Sequence, residues 1–109
     1  MDERVARIRA LNDELRTFGS GGRTVVTIGV QHLEKPTPAE VLRAVRDFDA
    51  FTPENDPHGE HDCATLAVGG KTILWKVDYY DRDLRFHSPD AANPDLTCRV
   101  LTVMLAEEY

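Results

Sequence analysis

The residues with the most potential for chemistry lie between Glu54 and His87, where a polar loop precedes segments of alternating polar and apolar residues. The imidazoles of His61 and His87 and the carboxylate of Asp78 could bind a divalent metal that keeps an open position for water. A histidine paired with an aspartate could equally act as a general base with its orienting acid. Neither pattern is specific, because the chain has no His-Glu-x-x-His motif, no cysteine-rich metal spacing and no glycine-flanked serine. The catalytic candidates are therefore His61, Asp78 and His87, and we assign no metal ligands and expect no cofactor.

A two-residue turn is predicted to position these side chains. Gly69-Gly70 is a strong hairpin signal, because both central positions of such a turn need positive φ. The turn sets a register in which Trp75 faces Ala64 in the core. In the same register, His61 pairs with Asp78 on the opposite, polar face of the sheet.

A second turn, at residues 81–83, leads to a third short strand over residues 84–87. Side-chain alternation leaves two registers open, with His87 opposite Asp78 or opposite Lys76. Either register adds His87 to His61 and Asp78, so we expect a row of three residues across three strands. The polar face and the adjoining loop form the expected binding surface. Its residues are Asn55, Asp56, His58, Glu60, His61, Asp62, Lys76, Asp78 and Tyr80.

The remaining segments supply the scaffold. Apolar residues from Val5 to Phe18, at three- and four-residue spacing, predict a helix over residues 3–18 that ends at Gly19. Alternation predicts a strand over residues 24–30. The capping box at residues 37–40, with proline at the first helical position, begins a second helix. Asn93 before a proline and an apolar run predicts a third, well-buried helix near the C-terminus.

These elements give an α+β fold with a three- to four-stranded antiparallel sheet and three helices, in the order α-β-α-β-β-β-α. The 109 residues are expected to form one domain, residues 1–109. The two cysteines have no Cys-x-x-Cys spacing, so we expect reduced, packed thiols.

The charge and hydropathy narrow the class of partner. A net charge of −6 argues against direct binding of nucleic acid and suits a basic protein partner. No apolar run approaches the roughly 20 residues of a membrane span, and the charged N-terminus lacks the apolar core of a signal peptide. We expect a cytoplasmic protein that does not bind membranes, and a homodimer is left open.

The stretch Asn55–Asp62, followed by Trp75–Asp81, resembles the small bacterial family known as domain of unknown function 3768. Residues 9–13, residues 51–54 and the C-terminal segment extend the resemblance over nearly the whole chain. Family members usually carry an aromatic residue after Glu-His-Asp, where this chain has Cys63. The resemblance implies a compact cytosolic domain that is often found in mobile or plasmid-borne gene neighbourhoods. It implies no activity, cofactor or catalytic residue.

The leading hypothesis is a non-catalytic module that binds another macromolecule through the polar sheet face and the loop at residues 54–62. An inhibitor carried by mobile genetic elements, of the anti-CRISPR or antirestriction type, would fit the charge and size if it occludes a basic nucleic-acid-handling complex. The alternative is a metal-dependent or His/Asp-based hydrolase or nuclease that uses His61, Asp78 and His87. Whether the protein is an enzyme stays open.

Overall fold

The computed structural model describes residues 2–109 and confirms the α+β class with three α-helices. The chain order differs from the predicted one, because an additional short helix follows the first strand and a strand replaces the last predicted helix. The elements are α1 (Glu3–Phe18), β1 (Arg23–Val26), α2 (Ile28–Gln31), α3 (Pro38–Asp47), β2 (Cys63–Val68), β3 (Lys71–Tyr80), β4 (Cys98–Leu105) and a final 3₁₀ helix (Ala106–Glu108).

The sheet has four strands in the order β1-β4-β3-β2. β3 pairs antiparallel with both β2 and β4, whereas β1 pairs in parallel with β4. The sheet is therefore mixed, and the prediction of a purely antiparallel sheet is wrong at β1. The reason is that the last strand, β4, inserts between β1 and β3.

The segment at residues 98–105 is the largest error of the sequence analysis, because it forms β4 and not a helix. A strand in the middle of a sheet carries apolar side chains on both faces, so its sequence reads as a continuous apolar run. Such a run has no periodicity that separates it from a buried helix. Asn93 does not begin a helix, and its Oδ1 accepts a hydrogen bond from the Asp95 amide at 2.9 Å within a turn.

Three smaller predictions are also wrong. The first strand stops at Val26, and the fully buried Val30 reaches the core from the single turn of α2. Residues 84–87 form no strand, and their pairing with β3 is a single bridge between Tyr80 and His87. Phe18, at the end of α1, is 79% exposed.

The local signals are confirmed. α1 ends at Gly19 in the left-handed conformation, with a φ of 74°. Thr37 Oγ1 accepts a hydrogen bond from the Glu40 amide at 3.2 Å, which forms the N-cap of α3. The β2–β3 hairpin has the predicted register, with Ala64 opposite Trp75.

The core lies between one face of the sheet and the helices. Trp75 is fully buried at its centre, as predicted. The helices contribute Leu15, Val30, Val41 and Val45, and the sheet contributes Ala64, Ile73, Trp75, Val77, Leu101 and Val103. The opposite face, here called the open face, carries the partly exposed side chains of Lys76, Asp78 and Tyr80.

Candidate functional site

The predicted row of His61, Asp78 and His87 does not form. β2 begins at Cys63, and the chain has already left the extended conformation at His61, whose φ is 54°. His61 contacts α1, where its Nδ1 lies 2.8 Å from Asp13 Oδ1. Asp78 lies on the open face and accepts a hydrogen bond from Lys76. The row was wrong because the hairpin register was extended beyond the end of the strand.

His61 instead joins the loop at residues 54–62 to the helical layer. Its ring stacks on Phe51 with the centroids 3.7 Å apart and the planes 5° apart. Its Nε2 lies 3.7 Å from Asp56 Oδ2, and its amide donates to Asp56 Oδ1 at 3.1 Å. Both ring nitrogens thus face carboxylates, one on α1 and one in the loop, so His61 connects the loop to the helix.

A buried hydrogen-bond network continues from this loop into the sheet. Asn12, with no exposed surface, donates from Nδ2 to the Glu60 carbonyl at 3.0 Å and to the Tyr79 hydroxyl at 2.8 Å. Its Oδ1 accepts from Arg99 Nε at 2.7 Å. Arg99 also donates to the Ala91 carbonyl. Asn12 therefore links α1, the loop, β3 and β4 in the interior of the protein.

The ionisable groups of the network, on Tyr79, Glu60 and Arg99, also contact one another. The Tyr79 hydroxyl donates to Glu60 Oε1 at 2.8 Å. Burial raises the pKa of Tyr79 far above its usual range, and the nearby Glu60 carboxylate adds to the rise. Burial lowers the pKa of Arg99, whose guanidinium stacks over the Tyr79 ring at 5.0 Å. Glu60 is thus a structural residue.

Arg16 connects α1 to the end of α3. Its Nη1 donates to the carbonyls of Val45, Arg46 and Phe48 at 2.9, 3.0 and 2.8 Å. These carbonyls lie at the negative end of the helix dipole, so a buried cation is favourable there. The same guanidinium lies 5.4 Å from the Phe51 ring centre.

The nine predicted binding residues therefore separate into three groups. Four loop residues make internal contacts: Asn55, Asp56, Glu60 and His61. Asn55 accepts from the Thr52 amide and donates to the Ala50 carbonyl, so it stabilises its own turn. His58 lines a cleft beside α1. The remaining four are Asp62, Lys76, Asp78 and Tyr80.

A second cleft lies beside the C-terminal half of β3 and brings several predicted residues together. Here called the Phe86 cleft, it has a volume of about 380 Å³. Phe86 is 68% exposed at this site. The lining side chains include Asp62, Asp78, Tyr80, Arg85, Phe86 and His87. The structure thus places Asp78 and His87 in one cleft, without His61.

The loop that carries Phe86 is held by local hydrogen bonds. Asp81 Oδ1 accepts from the amides of Asp83 and Arg85 at 3.1 and 3.0 Å. The backbone hydrogen bond from Arg85 is the main reason why the pKa of Asp81 is lowered. Leu84 adopts a φ of 59°, which turns the chain back toward β3. This turn directs Phe86 to the surface.

The Phe86 cleft carries charges of both signs, because the carboxylates of Asp62 and Asp78 lie in it together with Arg85. Burial raises the pKa of Asp62, and repulsion from Glu60 and Asp56 adds to the rise. Lys76 Nζ donates to Asp78 Oδ2 at 2.6 Å, and this hydrogen bond raises the pKa of Lys76. Carboxylates beside aromatic rings suit an arginine or lysine side chain.

Over residues 2–109, no group of three or more His, Cys, Asp or Glu side chains is placed to hold a metal ion. In the same range, no helix has the length and hydropathy needed to cross a membrane. Both cysteines are free; Cys63 is exposed, so the expectation that it is packed is wrong.

Sequence reasoning missed three residues that organise the site. Asn12 carried a usable signal, because it lies four residues after Ile8 and three before Leu15, on the buried stripe of α1. Arg99 carried no usable signal, because its segment was predicted to be a helix. Phe86 was missed because its exposure depends on the turn at residues 81–84.

The comparisons with known proteins give one match. The model of the family described as "Protein of unknown function (DUF3768)" matches residues 26–108, which is more than half of the chain. No curated protein and no solved structure matches this chain. The match confirms the resemblance in the sequence, and the family's description names no activity.

Proposed function

We propose that this chain, which belongs to the DUF3768 family of proteins of unknown function, is a non-catalytic module that binds a basic segment of another protein in the Phe86 cleft. The observation that carries the proposal is a large aromatic side chain, Phe86, which is 68% exposed in a cleft that also presents Asp62 and Asp78. Aromatic residues, phenylalanine among them, are enriched in protein interfaces relative to the rest of the protein surface.

The chemistry of the cleft supports an arginine or lysine side chain as the bound group. The hydrocarbon part of such a side chain packs on an aromatic ring while its charged end reaches a carboxylate. An internal contact already has this form, because the Arg85 guanidinium lies 5.8 Å from the Phe86 ring centre. A partner's guanidinium would replace Arg85 on the ring and gain the carboxylate of Asp62, while Asp78 stays paired with Lys76.

The net charge of −6 supports a basic partner over an acidic one. Complementary charge speeds association and disfavours wrong partners. Nucleic-acid-handling complexes expose arginine and lysine side chains for phosphate contacts. We therefore propose such a complex, of the restriction or interference type, as the first partner to test, with the protein acting as an anti-defence inhibitor.

The first experiment measures binding of a fluorescent arginine-rich peptide, with a glutamate-rich peptide of equal length as the charge control. We expect the arginine-rich peptide to bind and the affinity to fall as salt is raised. Phe86→Ala should weaken binding at least tenfold. Phe18→Ala is the matched control, because Phe18 is 79% exposed at the end of α1, outside the cleft. Equal binding by the Phe86→Ala protein and the wild type would overturn the proposal.

The second experiment uses purified restriction and interference complexes as immobilised probes. Capture of the wild type and of Phe18→Ala, with loss of Phe86→Ala, would support the inhibitor role. Failure of every complex to capture the wild type, while the arginine-rich peptide still binds, would remove the anti-defence part and leave the basic-segment binding site.

The hydrolase or nuclease alternative stays a prediction. Its three residues do not lie in one site, and His61 is held between Asp13 and Asp56, so the described contacts favour a binding module. Thermal melting with added Zn²⁺ or Mn²⁺ addresses the metal-dependent version. A metal-dependent rise in Tm that is lost in Asp78→Ala would favour the alternative.

A further inference from the structure

The free edge of β2 is a second surface, which adjoins the Phe86 cleft at Asp62. β2 is the terminal strand of the sheet, and its sequence Cys-Ala-Thr-Leu-Ala-Val contains no charged residue and no proline. Edge strands of soluble proteins usually carry lysine, proline or a bulge that prevents pairing with another strand. An uncharged edge of six residues is therefore expected to be paired in the working protein.

The hairpin register identifies the backbone groups that are available. In a two-residue hairpin the pair beside the turn is hydrogen-bonded, and such pairs alternate with non-bonded ones. Val68 pairs with Lys71 beside the turn, and the Val77 amide donates to the Asp62 carbonyl at 2.7 Å, so the even-numbered residues of β2 are bonded to β3. The odd-numbered residues direct their amides and carbonyls outward.

Three residues therefore present unpaired backbone groups along the edge. They are Cys63, Thr65 and Ala67, whose side chains are all exposed. Among the backbone hydrogen bonds of residues 2–109, none from a turn, loop or neighbouring element reaches these groups.

We propose that a second copy of this chain pairs with β2 in the antiparallel direction, with Thr65 on the two-fold axis. In this register Thr65 faces Thr65 of the partner subunit, and Cys63 faces Ala67 of the partner subunit. All three outward-facing residues of each copy then lie in hydrogen-bonded pairs, which exchange two bonds each. The two sheets join into one continuous sheet, and the interface is the same patch on both copies.

Charge complementarity favours a second copy over an unrelated strand. The start of β2 is acidic, because Asp62 lies close to Glu60 and Asp56. The other end lies beside Lys71, which is paired with Val68. Antiparallel self-pairing sets Asp62 opposite Val68 of the partner subunit, one strand away from Lys71 of the partner subunit. The two-fold axis repeats this arrangement, so two pairs of opposite charge offset part of the repulsion between two acidic molecules.

Sedimentation velocity over a wide concentration range tests this dimer. We expect the wild type to change from monomer to dimer, with no larger species, because pairing uses up the β2 edge of both copies. Thr65→Lys should weaken the dimer at least tenfold, since it places two lysines directly opposite each other. The matched control is Thr72→Lys, which adds the same charge at an exposed position of the neighbouring strand. A wild type that stays monomeric, forms open-ended assemblies, or responds equally to both substitutions would overturn the proposal.

Cross-linking gives a second, independent reading of the register. In a Cys63→Ser background, Thr65→Cys places two thiols across the axis at a spacing that a disulfide can bridge. We expect mild oxidation to give a covalent dimer from this variant and not from Thr72→Cys in the same background. Equal cross-linking of the two variants would contradict the register. Phe86→Ala should dimerise like the wild type, so this proposal and the proposed function can fail separately.

Discussion

Replacing Asn12 by alanine tests whether the buried network holds the candidate site together. Asn12 has no exposed surface and makes three hydrogen bonds, to Arg99 Nε, the Glu60 carbonyl and the Tyr79 hydroxyl. A hydrogen bond to a charged group contributes about 1.5–3 kcal/mol, and a neutral one about 1 kcal/mol. The substitution also leaves the buried Arg99 donor without this partner. We therefore expect the free energy of unfolding to fall by about 3–5 kcal/mol.

Such a loss is a large fraction of the stability of a domain of this size, which is typically about 5–15 kcal/mol. The corresponding fall in Tm is roughly 12–20 °C, at about 4 °C per kcal/mol. Urea unfolding followed by circular dichroism measures the change in free energy, and calorimetry measures the fall in Tm.

Asn55→Ala is the matched control. Asn55 also makes hydrogen bonds to the backbone through both ends of its amide, to the Thr52 amide and the Ala50 carbonyl, but it is exposed. We expect this control to lose less than about 1 kcal/mol, because water replaces the lost partners. A loss below about 1 kcal/mol for Asn12→Ala, or equal losses for the two variants, would refute the view that the network is a principal support of the loop.

Two further predictions concern the same loop. His61→Ala should lower the free energy of unfolding by about 1–3 kcal/mol, because it removes the stacking on Phe51 and the contact with Asp13. The control His58→Ala, at an exposed position, should change it by less than about 0.5 kcal/mol. A His61→Ala protein as stable as the wild type would contradict the observed contacts. Burial raises the pKa of Tyr79 in the folded state, so the unfolded chain releases this proton first, near pH 10, and stability should fall as the pH rises above that value. Tyr79→Phe removes this dependence on pH. Urea unfolding between about pH 8 and pH 11 should therefore show that the difference in unfolding free energy between the variant and the wild type narrows as the pH rises. Parallel curves for the two proteins would contradict this prediction.

The internal contacts of the loop at residues 54–62 give its polar residues a structural role, whereas the sequence predicted that they contribute to a binding surface. Asp56, Glu60 and His61 are used to attach the loop to α1 and β3. These contacts explain the polar residues of the loop by their role in folding, and the proposed binding site lies around Phe86 instead.

Several features follow from the sequence because they depend on local backbone preferences. Gly19 ends α1 because glycine tolerates the left-handed conformation. The capping residue Thr37 begins α3, and the positive φ values of Gly69 and Gly70 set the hairpin register. Each of these signals involves residues only a few positions apart. A different local structure would therefore lose these interactions wherever the segment packs in the fold.

Other features were decided only by the tertiary structure. The apolar run at residues 98–105 is compatible with a buried helix or with a central strand. Its pairing with the neighbouring strands β1 and β3 makes it a strand. Extended from the sequence, the hairpin register pairs His61 with Asp78. In the structure His61 instead contacts Asp13, 48 positions earlier in the chain, and this contact holds it away from Asp78. Contacts between distant residues compete with local pairing at the ends of strands, and this competition is the physical reason why the position of the site could not be obtained from spacing alone.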